Sequence, residues 1–508
     1  MTAAPSGLDA VTAGLDAALP PGDLGEVDLV GADRTGVHVV AADHADPTGT
    51  WPRSGSFGYG LSVERARVAA HAELAEEMLL SRRLRALEPV RGSYVELAAE
   101  RGTDRIADPV SLVLPAGTAY DPGQPRWWLP TTRWRTGEEV LVPAEFAAAY
   151  PVDLDWQDPA ERLITVITNG CGAGDTTPRA VGHALGELLQ RDGNATAFRA
   201  LDRGVVIDLG PDDAAVRDPA TRALLAHLRS VGITVIAKLA STAFGVTDLH
   251  VVGHDTDPAD APHPIAVTAC GEAAHPDREV ALQKALLEFC SARVRKVVAH
   301  APLDVVRPLV PADYWEREMD HPLPPQERRA FTAMADWTGR SAEELRELLA
   351  PTVLARRSSV AFGDLPTVPA GSVDAPGPLL DDLLARLDGL DPLVVEGAAD
   401  TATTVKVLVP GLEVETMSYG RIGARGVERL LDRGSDLVGL GAPPHPGALP
   451  VALTDAGRER LGDRFGDDRA WLDRDLVDRT VGALYPLYRE PTRHAVARAA
   501  AGEDVTLV

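Results

Sequence analysis

Apolar residues recur at every second position from Glu26 to Val30 and from Gly36 to Ala41, which predicts two strands around a turn. Residues 1 to 25 are rich in Ala, Gly and Pro and read as a mobile lead. The glycine-rich SGSFGYG run, Ser54 to Gly60, reads as a loop before a helix that Ser62 caps and that runs through Leu79. Leu163 to Thr168 is a β-branched strand, Asn169 to Pro178 a loop, and Thr177-Pro178 the cap and first turn of a second helix. Gly204 to Leu209 and Gly232 to Ala237 are further strands, and a third helix runs from Pro276 to Val298 with Asp277 as its cap. Residues 302 to 375 are proline-rich and charged, with a helix near Ser341 to Leu349, and read as a connecting region. Val405 to Val409 is a strand closed by Pro410-Gly411, and short helices and loops fill the last hundred residues. The class is α+β, with mixed sheets and helices. Its expected parts are a lead and short β segment over 1–50, a core over 51–300, the connecting region over 301–395 and a C-terminal part over 396–508.

The three helices share one layout. The first carries Glu73 and Glu76, the second Glu187, Gln190 and Arg191, and the third Lys284, Glu288 and Arg293. Residues three or four apart lie on one helical face, so each helix aims polar groups at one point. A single such pair is usually a solvated face; three, each after a glycine-containing loop, point to a shared site. Mg²⁺ takes a few carboxylates plus phosphate oxygens, and arginine forks the same phosphates. Bridging Mg²⁺ thus lets acidic helices form a triphosphate site.

Composition narrows the classes. The 508 residues are 45% hydrophobic and 25% charged, ordinary for a globular protein, with a formal net charge of −25. The only lysines are Lys238, Lys284, Lys296 and Lys406, which argues against a nucleic-acid partner. Cys171, Cys270 and Cys290 form no CxxC, so no disulfide framework or zinc site is legible and the cytoplasm is the expected location. No apolar run reaches the roughly 18 residues a membrane span needs. No lysine follows a glycine, which excludes a P-loop, and HExxH and GxSxG are absent. The rival motif is Gly170-Cys171-Gly172-Ala173-Gly174-Asp175, placed as a dinucleotide-binding turn would be, but Asp175 stands where a third small residue is needed. Cys171 reads as a small loop residue rather than a nucleophile.

The run TNGCGAGDTTPRAVGHALGELLQRD, residues 168 to 192, resembles the YcaO family's Asn-Gly, small-residue loop and Glu-bearing helix. HPDREVALQKALLEFCSAR (275 to 293), VKVLVPGLE (405 to 413) and GYGLSVERARVAAHAELAEE (58 to 77) resemble its other segments. The resemblance implies a YcaO-type fold whose helices converge on ATP and Mg²⁺. It implies Glu73, Glu76, Glu187 and Glu288 as metal ligands and as part of the nucleotide site, with Asn169, Gln190, Arg191, Lys284 and Arg293 completing that site. Four positions depart from the family pattern: Tyr59 for Lys, Ala69 for Ser, Glu77 for Arg and Gln190 for an acid. The first three bear on the phosphate grip more than on the metal cluster.

The implied activity is ATP-dependent activation of peptide backbone amides by O-phosphorylation. The chain ends Gly502 to Val508 without the Pro-x-Pro-x-Pro tail of azoline-forming members that work with a partner. That resembles stand-alone members making thiazolines or macrocyclic amidines from a ribosomally made precursor peptide, and also members installing thioamides with a partner protein. His183 is the candidate proton acceptor, with a packed structural histidine as the alternative. A non-catalytic peptide-binding scaffold and the dinucleotide-binding oxidoreductase are the other readings. The expected partner is the precursor peptide; a partner protein and a homodimer are both compatible with the sequence.

Overall fold

The computed structural model describes residues 7–46, 53–319, 321–387 and 389–508. An antiparallel sheet of Asp23–Asp28, His38–Ala45 and Ser54–Gly60 comes first, with Val27 opposite Ala41 and Ala41 opposite Phe57. The expected strand pair is there, but the glycine-rich run is a third strand, not a loop. Its glycines exist because helix Val63–Arg85 crosses directly over them. A Cβ on Gly58 would lie 2.1 Å from the Ala66 carbonyl oxygen and the Ala70 nitrogen.

The same unit recurs twice. Leu163–Thr168, expected as a strand, is irregular, and the expected loop holds the strand instead: Cys171–Gly174 pairs antiparallel with residues 403–406. Helix Thr177–Asn194 crosses it, and a Cβ on Gly172 would lie 2.4 Å from the Ala180 carbonyl. Strand Cys270–His275 leads into helix Arg278–His300, and a Cβ on Gly271 would lie 2.1 Å from the Ala285 carbonyl. Ser62 and Asp277 cap their helices as expected, accepting from the Arg65 and Glu279 nitrogens. The pairing of Cys171–Gly174 is antiparallel, so the dinucleotide-binding reading fails on topology: that fold needs a parallel βαβ unit here.

The second unit lies on a six-stranded sheet, ordered Val90–Gly92, Arg126–Arg133, Leu393–Ala399, Ala402–Leu408, Cys171–Gly174, with Glu139–Pro143 also paired to Arg126–Arg133. The third lies on a five-stranded sheet, ordered Cys270–His275, Thr247–Asp255, Ile233–Ser241, Val205–Asp208, Ser358–Ala361. The last strand comes from the proline-rich region and pairs in parallel with Val205–Asp208; that region also holds helix Ala342–Leu349, capped by Ser341. A small sheet of Val438–Leu440, Ala470–Asp473 and Ala448–Pro450 builds the C-terminal part.

The lead is helical rather than irregular over Gly7–Ala18, where Leu15 and Ala18 pack on Ala75 and Leu79 of the first carboxylate helix. Residues 1–6 of that segment lie outside the described residues. No helix among the described residues is long and apolar enough to cross a membrane.

Candidate functional site

Each strand–helix unit fixes one glutamate in the same way. The main-chain N–H of Phe57 donates to Glu73 at 3.1 Å, that of Gly170 to Glu187 at 2.9 Å, and that of Glu272 to Glu288 at 2.7 Å. Close glycine-mediated packing of helix on strand brings the donor within reach of a side chain sixteen or seventeen residues later. The three carboxylates are therefore equivalent by construction, although the sequence between them shows no repeat.

Their electrostatics are those of crowded acids. Glu73 is open to solvent, yet desolvation by the surrounding chain, opposed by the Arg295 charge and the Phe57 N–H, raises its pKa. Burial and then the charges of Glu187 and Glu73 hold Glu76 well above the carboxylate range, and burial followed by Glu272 raises Glu288. Burial pushes Glu77 up to about 7, against a hydrogen bond from Ser54. A divalent cation relieves such mutual repulsion. The four expected metal ligands do not form a ready-made cage. Among the described residues the one group of three ligating side chains with donor atoms within 4.8 Å is His445, Asp473 and Asp475. A sparse carboxylate set suits Mg²⁺, which keeps waters and phosphate oxygens in its shell.

A cavity of about 400 Å³ opens beside Glu288 and Asn169. Its cations are Arg191, Arg199, Arg295, Lys296, Arg489 and Arg493; its other acids are Glu272, Glu415 and Glu490. Glu272 takes Arg199 at 2.8 Å and Gln190 at 3.3 Å; Arg191 lies 3.5 Å from Glu187 and 3.8 Å from Glu272. Asn169 donates to Glu415 at 3.2 Å and Arg489 pairs with the same carboxylate at 2.6 Å; against burial, the Arg489 charge and then a hydrogen bond from Ser418 lower the Glu415 pKa to about 2. The Nε atoms of Arg191, Arg295 and Arg489 are buried without a hydrogen-bond partner. Three orphaned guanidinium donors around one cavity, next to acids awaiting a cation, fit an anion carrying Mg²⁺.

The family described as YcaO cyclodehydratase, ATP- and Mg²⁺-binding, matches residues 57–413. The chain belongs to the YcaO family. Its YcaO domain binds ATP and Mg²⁺. An uncharacterised protein of Methanothermobacter thermautotrophicus is 27% identical over 324 residues, 63% of this chain and 73% of that one. The fold is similar to that of a heterocyclase solved in complex with substrate and cofactor, at a TM-score of 0.58 and 18% identity, covering 84% of this chain and 55% of the other. The chain thus spans about half the length of that heterocyclase. It is also similar to YcaO from Methanopyrus kandleri bound with AMPPCP and Mg²⁺, at a TM-score of 0.50 and 20% identity, covering 78% of this chain and 88% of that one.

Two expectations for the YcaO site change. Arg293 is fully buried on the far side of its helix, forked between Asp33 at 2.6 Å and Asp255 at 2.9 Å, so four of its five donors are spent on these carboxylates and it does not reach the cavity. Arg295 takes the cavity position instead. His183 and Lys284 share a second cavity of about 180 Å³ with His275, apart from the one Glu288 lines. His183 and Lys284 are both exposed at the rim of that cavity; local desolvation, then the Lys284 charge, lowers the His183 pKa, so the ring is neutral at pH 7 but stands away from the arginines. Cys171 is buried and its thiol is pushed up by burial, which leaves no thiolate nucleophile. Tyr59, in the family's Lys position, packs against two apolar cores and feels the charges of Glu288, Arg295 and Glu73. Arg199, Glu272, Arg295, Glu415, Arg489 and the buried Lys406, whose Nζ donates to the Ile167 carbonyl at 2.7 Å, were not singled out from the sequence.

Proposed function

We propose that this chain activates backbone amides of a peptide substrate by ATP- and Mg²⁺-dependent phosphorylation of the amide oxygen, leading to dehydrative ring closure to an azoline or macrocyclic amidine. The observation that carries this is the threefold anchoring of Glu73, Glu187 and Glu288 beside a cavity with three unpartnered guanidinium Nε atoms. Glu73, Glu76, Glu187 and Glu288 hold Mg²⁺, and Arg191 and Arg295 meet the phosphates, with Asn169 and Gln190 fixing Glu415 and Glu272 around them. When bound, ATP with Mg²⁺ supplies the electrophilic phosphoryl group that turns the amide oxygen into a leaving group. An internal thiol, hydroxyl or amine of the peptide adds to the carbonyl carbon. Its oxygen then leaves as phosphate, so the peptide loses one water. The protein's part is placement and charge neutralisation, as in phosphoryl transfer generally.

Calorimetric titration of ATP with Mg²⁺ and again with chelator tests the site, with Glu288→Ala as the paired variant. Binding should require the metal and weaken in the variant; equal affinity in all conditions refutes the assignment. Intact mass of a co-expressed precursor tests the product. Ring closure removes roughly 18 Da and thioamidation adds roughly 16 Da, both by the same amide activation.

A further inference from the structure

We propose that Arg493, carried in by the C-terminal segment, is a phosphate-contacting residue that supplies the cation missing from the first strand–helix unit. The proposal rests on the reading of the cavity as a Mg²⁺–ATP site. One helical turn after Glu187 stands Arg191, and two turns after Glu288 stands Arg295, so the second and third units each bring a guanidinium to the cavity. The first unit does not. One turn after Glu73 stands Glu77, two turns after it Leu80, and strand Ser54–Gly60 holds neither Lys nor Arg. No arginine of helix Val63–Arg85 lines the cavity.

Arg493 reaches that side of the cavity from far along the chain. Its Cζ lies 4.7 Å from the centroid of the Phe57 ring, and Phe57 is the residue whose N–H holds Glu73. The Arg493 charge is felt at both Glu73 and Glu77, where it opposes the rise in pKa. Gly55 leaves room for the guanidinium, since a Cβ there would lie 2.4 Å from Nη2. Glu318 accepts from Nη1 at 3.1 Å and the Tyr314 hydroxyl is close by, so a fork with five N–H donors keeps some for a ligand.

The backbone imposes this direction. His494, the next residue, is buried and takes the left-handed conformation at a φ of 61°, which is uncommon outside glycine and is found where a site demands it. Its N–H donates to the Ala299 carbonyl at 2.7 Å, and its ring shares a hydrogen bond with the Tyr314 hydroxyl at 3.1 Å. Ala299 lies on the third carboxylate helix and lines the cavity, so the bend is pinned to the cavity wall. Upstream, Glu490 pairs with Lys296 and with His300 at 2.8 Å, which fastens the segment on the other side of Arg493. The fork is also undermatched in charge. Glu318 is shared with Arg53 at 3.7 Å, Glu77 is part-protonated at neutral pH, and Glu73 is spent on the metal once it ionises. A phosphate oxygen completes the set.

Calorimetric titration of ATP with Mg²⁺ into the full chain and its variants tests this, with a thermal melt for each. Arg493→Gln should weaken ATP roughly tenfold, and Arg493→Lys, which keeps the charge but not the fork, should fall between it and wild type. Glu318→Gln removes the ion-pair partner and should leave the Kd within about twofold. Glu77→Arg in the Arg493→Gln background places a cation on the first helix, one turn after Glu73 as Arg191 follows Glu187, and should bring the Kd back to within about threefold of wild type. Gly55→Ala pushes the guanidinium aside from an exposed position and should weaken ATP about threefold even if Arg493→Gln fails to fold. An unchanged Kd in Arg493→Gln or Gly55→Ala, an equal loss in Glu318→Gln, or no recovery with Glu77→Arg overturns the assignment. Chelator separates the two readings: wild-type ATP binding that needs Mg²⁺ but ignores Arg493→Gln sinks this inference alone, and binding that ignores Mg²⁺ yet falls in Arg493→Gln sinks the metal-dependent reading alone.

Discussion

Glu77→Gln should flatten part of the pH dependence of stability. Glu77 stands beside Glu73 and Asp153, and burial with those charges raises its pKa from 4.5 to about 7. The folded state therefore holds its proton between pH 4.5 and 7 while the unfolded state has released it. Stability from this group is fully present below pH 4.5 and is lost as pH rises to 7. Linkage over that interval gives a differential loss of about 2.5 kcal/mol between pH 5 and pH 8. The glutamine variant loses none of it at this position. Urea unfolding of wild type and variant, in chelator at both pH values, should show the variant gaining about 2.5 kcal/mol on wild type on going from pH 5 to pH 8. Parallel behaviour of the two proteins would mean that Glu77 ionises normally and that the carboxylate cleft is not desolvated.

Arg293→Met strands Asp33 in the core and leaves Asp255 with Arg34 alone, and should cost about 3–5 kcal/mol, whereas Arg295→Ala should leave the melting temperature nearly unchanged and weaken ATP binding roughly tenfold, read by calorimetry. The reverse pattern would restore Arg293 to the site. Gly271→Ala drives a Cβ to 2.1 Å from backbone and should cost about 3 kcal/mol or more, while Gly186→Ala, with nothing within 4 Å inside a helix, should stabilise by about 0.5–1 kcal/mol; thermal melts compare them directly. Removing the last five residues breaks the pairing of Thr506 and Val508 with Gln326 and Arg328 but should keep turnover within a few fold; loss of activity in a folded truncation would put the C-terminus in the reaction.

The helices were legible because their caps and periods are local: Ser62 and Asp277 cap where their side chains predict, whereas the second helix is capped one residue before the expected Thr177, at Thr176, with no side-chain cap bond. The glycine strands were not, because a glycine needed for close backbone approach looks the same in sequence as one needed for a turn. Only the helix crossing Gly58, Gly172 and Gly271 distinguishes them. Helical period could have corrected Arg293. Counting from Glu288, the cavity-lining residues Ala292, Arg295 and Ala299 follow at four, seven and eleven, so a residue five positions on points elsewhere. Glu272, Glu415 and Arg489 had no such signal, since their roles arise from strands and loops brought together across long separations.

The charge pattern explains how so acidic a chain can hold a polyanion. Of the arginines around the cavity, Arg199 and Arg489 are each matched to an acid, Glu272 and Glu415, which fixes their direction before any ligand arrives. Arrangement in advance removes an ordering cost from binding, and each guanidinium still keeps donors beyond those its acid uses. Glu73, Glu76 and Glu288 work the other way. Raised pKa values mean their ionised forms are costly until a cation comes. Metal and nucleotide thus complete one another: the metal makes ionised carboxylates affordable and the phosphates fill the metal's shell. ATP without metal meets acids that repel it, and metal without ATP meets a set too sparse to enclose it, so each ligand should bind measurably tighter in the presence of the other.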